Sequence, residues 1–110
     1  MYTYEDLLLD LGISPVLKGF AALSVVCSLR EQNPAAKFTY DILTAAGKIL
    51  GVSWHKIERN CRHAISSTIL NYGPDAMIEI LRQAPKLDTG TYPLDQFVTL
   101  CVMAMKRRKA

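Results

Sequence analysis

Between residues 48 and 63 the chain gathers four strong bases, both of its histidines and one carboxylate: Lys48, His55, Lys56, Glu58, Arg59, Arg62 and His63. A guanidinium presents forked N–H donors that match guanine O6 and N7, a glutamate accepts from cytosine N4, and lysine or histidine suits phosphate oxygens. At 100° per residue, Trp54, Cys61, Ala64, Ile65 and Thr68 fall within about 80° of Ile57 and form one apolar stripe. His55, Lys56, Arg59, Arg62, His63 and Ser66 occupy an arc of about 120° opposite it, with Glu58 on the flank. A helix here buries one face and turns every base outward. Its first two turns have the width to enter a major groove, which makes Glu58, Arg59 and Arg62 candidate base readers. Lys56 and His63 stand at the edges of the arc and suit phosphates; His55 and, from another segment, Lys18 are further candidate backbone contacts. The plainer reading is a solvated helix face, although solubility alone predicts a mixture of signs rather than one acid among several bases.

Other chemistry has little to stand on. His55 and His63 are eight residues apart, about 12 Å of helical rise, too far to share a metal ion or a proton relay. Cys27, Cys61 and Cys101 are odd in number, widely spaced and set in apolar patterns, which fits reduced core thiols better than a disulfide framework. Glu5, Asp6 and Asp10 read as the solvated acidic start of a first helix, where the macrodipole favours them. No catalytic residues, metal site or cofactor are expected, and the chain reads as a non-enzyme.

The elements that must hold this face are helical, because Pro and Gly separate segments of helical period and runs of β-branched alternation are missing. The pattern predicts a short first helix ending at Gly12, and a second that starts with Ser14 as N-cap and Pro15 in its first turn and ends at Asn33-Pro34. Gly19, Ala21, Ala22 and Ser24 predict that another helix crosses the second closely. Thr39 is the expected N-cap of a third helix over 40–50, with Ile42, Leu43, Ala46, Ile49 and Leu50 as its apolar positions. Gly51 stops it, and Ser53 caps a long helix from Trp54 to about Tyr72. Helix, three-residue turn and longer helix form a helix-turn-helix outline over about 40–72. A fifth helix is expected over about 74–83, with Met77, Ile78, Ile80 and Leu81 inward. A sixth runs from about Pro93 through Met105 into the tail, with Phe97, Val98, Leu100, Cys101, Met103 and Met105 inward. Its apolar surplus either packs on a close neighbour or covers a dimer partner. The expectation is an all-α, six-helix domain spanning 1–110.

Composition agrees with that. The 110 residues are 50% hydrophobic and 21% charged, enough for one domain with one core and not for two. The net charge of +3 is unevenly placed. Residues 1–47 carry −2, 48–63 carry +3, 64–105 carry −2, and the tail 106–109 carries +4. No apolar run reaches the roughly 18 residues needed to span a bilayer, and the start MYTYEDLLLD lacks the basic region of a signal peptide, so a cytoplasmic protein is expected.

The segment SWHKIERNCRHAI, Ser53 to Ile65, resembles the recognition helix of the C-terminal effector domain of the stage-zero sporulation protein A response regulators, whose pattern is approximately V-E-R-A-I-R-H-A-I. Glu58, Arg59, Arg62, His63, Ala64 and Ile65 match it identically. Gly12-Ile13, Leu17-Lys18-Gly19-Phe20 and Leu23 resemble a second block of that family near its start, and the likeness in length and helix order covers nearly the whole chain. The resemblance implies a six-helix DNA-binding transcription regulator of sporulation that recognises a short promoter box and contacts RNA polymerase through its sigma factor. It also implies a homodimer on tandem sites. Carried over, Glu58, Arg59 and Arg62 read bases and His63 contacts the backbone, with Lys56 in place of another base. Trp54 and His55 depart from the family by replacing small residues, Thr44 to Gly47 lacks its Tyr-Pro pair, and Ser24 stands where it has an arginine. The segment after Tyr72 matches poorly. The family's receiver domain has no counterpart in these residues; were they a whole protein, the resemblance would imply control by abundance, by a partner, or by competition with a full-length regulator, and for a piece of a longer chain it implies none of these.

The alternative from a different class is a helical protein-interaction module that antagonises such a regulator or binds RNA polymerase without reading DNA. The tail, Lys106 and Arg107 first, either tracks DNA phosphates or only solubilises the end of the chain.

Overall fold

The computed structural model describes residues 1–109. They form six α-helices, α1 (Tyr4–Asp10), α2 (Lys18–Gln32), α3 (Thr44–Leu50), α4 (Trp54–Tyr72), α5 (Asp75–Leu81) and α6 (Leu94–Lys109), with no strand among the described residues. The first is fixed by a capping box: the Thr3 hydroxyl accepts from Asp6 N at 3.2 Å while the Asp6 carboxylate accepts from Thr3 N at 2.9 Å. That backbone N–H also holds the Asp6 carboxyl below its usual range.

Two helix starts differ from expectation. The second helix begins at Lys18 rather than at Ser14. Ile13 is buried with its N–H on the Leu8 carbonyl, so the chain must reverse first, and it does so in a turn closed by Leu17 N to the Ser14 carbonyl at 3.2 Å. The Ser14 hydroxyl accepts from Val16 N, as a turn residue does, and caps no helix. Thr39 likewise caps nothing. A π-helical segment, Phe38–Leu43, leads into α3, and its start is held by the Asp41 carboxylate accepting from Lys37 N at 2.8 Å. The α5 helix is also shorter than predicted, because Arg82 takes a left-handed conformation (φ 61°) and ends it.

The core is continuous. Leu8, Leu23, Leu43, Ile57, Ile65 and Phe97 are among its fully buried side chains. The α2 helix is its organiser, packing on α4 near its start and on α6 farther along, where the Cys27 and Cys101 thiols meet. All three thiols are buried. The Cys101 contact and burial push the Cys27 thiol well up, and burial does the same to Cys61, so both resist forming the reactive thiolate.

The apolar surplus of α6 is core, since eight of its residues from Leu94 to Met105 are buried. Met103, expected inside, is exposed, as are Ile49, Leu50 and Ile78. These four point away from the faces by which α3, α5 and α6 pack on their neighbours. No helix among the described residues is long and apolar enough to cross a membrane.

Candidate nucleic-acid interface

The turn before α4 is built from a glycine, a valine and a serine. Gly51 adopts φ 73°, which L side chains rarely take. Val52 N then donates back to the Gly47 carbonyl at 3.0 Å, so the turn lies directly on α3; a Cβ at Gly47 would come within 2.5 Å of the Val52 carbonyl oxygen. The Ser53 hydroxyl accepts from Lys56 N at 3.3 Å and starts α4. Only three residues, Gly51, Val52 and Ser53, join the two helices.

From there the predicted stripe packs inward. Ile57, Cys61, Ala64, Ile65 and Thr68 are buried, and Thr68 satisfies its hydroxyl on the Ala64 carbonyl at 2.7 Å. Trp54 is half-buried. His55, Lys56, Arg59, Arg62, His63 and Ser66 are all exposed, which brings five of the predicted site residues onto one face of one helix. The sixth, Glu58, accepts from Arg62 at 3.5 Å across one turn. With side chains 32% and 56% exposed, this pair contributes a few tenths of a kcal/mol at most. Lys56, Arg59 and Lys18 have no carboxylate within 4.0 Å among the described residues.

Lys18 is exposed beside the crossing of α2 and α4. It opens α2, and its neighbour Gly19 lies so close to α4 that a Cβ there would be 2.1 Å from the Asn60 carbonyl oxygen. The tail is engaged elsewhere. Arg107 donates to the Ile80 carbonyl at 3.0 Å, Arg108 lies 3.7 Å over the Tyr2 ring, and Lys109 pairs with Glu31 at 3.7 Å. Lys106 lines a concavity with Arg30, Glu31 and Pro34. The Lys106 and Lys109 contacts lie at the Glu31 end of α2, about 18 Å of helical rise from Gly19. Tyr2, which Arg108 covers, donates to Asp10, and burial with that bond pushes its phenol up to about 12.

The tail is thus a clasp onto α2, α5 and the segment before α1. Arg107→Ala is expected to cost about 1 kcal/mol and lower the melting temperature by about 5 °C, because a part-buried carbonyl loses its donor. The same substitution is expected to leave affinity for duplex DNA unchanged; a weaker complex with a shallower salt dependence would instead place the tail on phosphates.

Two features escaped the sequence pattern. Trp54 and His55 stack, with ring centroids 3.6 Å apart and planes at 29°. The loop before α6 returns to the flank of α4, where Thr91 and Tyr92 line a concavity with Arg62 and Ser66. Its conformation is set by Lys86 N donating to the Thr91 carbonyl and Gly90 N to the Lys86 carbonyl, which helical periodicity does not encode. No group of three or more metal-ligating side chains occurs among the described residues. No protein-family model matches this chain, and no curated protein or solved structure matches it significantly.

Proposed function

We propose that the chain is a sequence-specific duplex-DNA-binding module that lays α4 in the major groove, with α3 and the turn Gly51–Ser53 serving as the first half of a helix-turn-helix. The observation that supports this most is the single exposed face of α4, with His55, Lys56, Arg59, Arg62 and His63 outward and the opposite stripe buried. Arg59 and Arg62 read base edges, Glu58 orients Arg62, and Lys56, His63 and Lys18 hold phosphates. The resemblance to sporulation effector domains carries the same assignment for Glu58, Arg59, Arg62 and His63, and with it a role in transcription.

Selection from a randomised duplex library tests the reading, with enrichment of a short shared sequence expected. Lys56→Ala is expected to weaken all duplexes alike and to reduce the slope of log affinity against log salt by about one, as loss of one phosphate contact requires. A library that returns no enriched sequence overturns the proposal.

A second reading rests on Tyr40, Ile49, Leu50 and Val52, which are exposed on the π-helical segment, α3 and the turn. They suit a protein partner such as an RNA polymerase sigma factor or a second copy on a tandem site. Absence of DNA binding at low salt, with a polymerase subunit retained, supports that reading alone.

A further inference from the structure

The edge of α4 that enters first holds a side chain whose position differs from that of the phosphate contacts. On the 100° wheel His55 lies between Arg62 and Arg59, within a span of about 60°, whereas His63 and Lys56 stand roughly 70–90° round from the centre of that span. His55 thus shares the meridian of the two arginines. It is exposed, it sits in the first turn after the Ser53 cap, and its ring is stacked on the half-buried Trp54 at 3.6 Å. Trp54 packs against the core, so the imidazole rests on an anchored surface and loses rotamer freedom before any ligand arrives.

Resting on the DNA-binding reading above, we infer that His55 is a specificity-determining residue that reads a base edge, not a phosphate contact. Its ring N–H donates to guanine, which offers two adjacent acceptors, O6 and N7, in the major groove; adenine places a donor beside its single acceptor and is disfavoured. Four residues separate His55 from Arg59, about 6 Å of rise, so the base it reads lies within about two base pairs of the one read by Arg59.

The test compares randomised-duplex selections for the wild-type chain, His55→Ala and His55→Gln, with affinities and salt slopes measured on the winning duplex and on its variants at each position. For His55→Ala, a guanine preference at one position is expected to flatten, with affinity falling about 3- to 10-fold on the preferred duplex alone. The salt slope is expected to stay unchanged, and the melting temperature to fall by a few degrees at most, as loss of an exposed stack allows. His55→Gln is expected to retain selectivity at that position and move it toward adenine, which an amide reads through N6 and N7. Uniform weakening of every duplex with a salt slope reduced by about one makes His55 a phosphate contact and overturns the inference. An unchanged selection in both variants makes it a bystander and overturns it too. Failure of the wild-type chain to enrich any sequence is a separate outcome that overturns the DNA-binding reading and this inference together.

Discussion

Gly19→Ala is expected to destabilise the fold by roughly 3 kcal/mol or more, lowering the melting temperature by about 15 °C. A glycine within a helix normally gains about 0.5–1 kcal/mol on replacement by alanine, so the sign itself is diagnostic. The reversal follows from what the added methyl meets. It would lie 2.1 Å from the Asn60 carbonyl oxygen, 2.9 Å from that carbonyl carbon and 2.6 Å from the Ala64 Cβ. Those atoms belong to the backbone of α4 or are fixed to it, so no rotamer change gives relief. The two helices must separate, and theirs is the most extensive helix pairing in the fold. Thermal denaturation followed by circular dichroism measures the loss; a variant as stable as the parent would mean that α2 and α4 do not cross at this point. Because α4 carries the candidate DNA face and α2 supplies Lys18, the same separation would also shift Lys18 relative to that face.

Much of this crossing was legible beforehand. Gly19 with Ala22 and Ser24 announced a close neighbour, and the 100° periodicity of Trp54 to Thr68 told which face of α4 would turn inward. Both are local signals, because side-chain size and helical period act within a few residues of where they are read. The start of α2 was not legible. Ser14-Pro15 carries good capping chemistry, yet the buried Ile13 and its bond to the Leu8 carbonyl oblige the chain to turn there, and that constraint comes from a different helix. The tail shows the same limit. Four consecutive bases read as a free patch, whereas Ile80 of α5, Glu31 of α2 and Tyr2 just before α1 engage three of them. The candidate site was more readable than its surroundings since its residues lie on one helix, and the features missed there, the Trp54–His55 stack and the loop at Thr91, depend on rotamers and on chain return.

Replacing Arg59 and Arg62 together with alanine is expected to cost about 2–6 kcal/mol at the preferred duplex and to erase selectivity at two base positions, since each bidentate arginine discriminates by about 1–3 kcal/mol. Stability is expected to hold. Both side chains are exposed, and the one ion pair lost, Arg62 with Glu58, is a solvated pair across one turn. The two single variants are not expected to be equal. Arg59 has no carboxylate partner within 4.0 Å among the described residues, so Arg59→Ala removes a donor and nothing else. Arg62→Ala removes a donor and also leaves the Glu58 carboxylate unneutralised beside the phosphates, which repel it. The Arg62 variant is therefore expected to bind more weakly than the Arg59 variant, and adding Glu58→Gln to it is expected to recover part of the difference, most visibly at low salt where such repulsion is least screened. Equal losses in the two single variants, with no recovery from Glu58→Gln, would show that Glu58 stands clear of the DNA. Wild-type selectivity in the double variant would place the face of α4 outside the groove altogether.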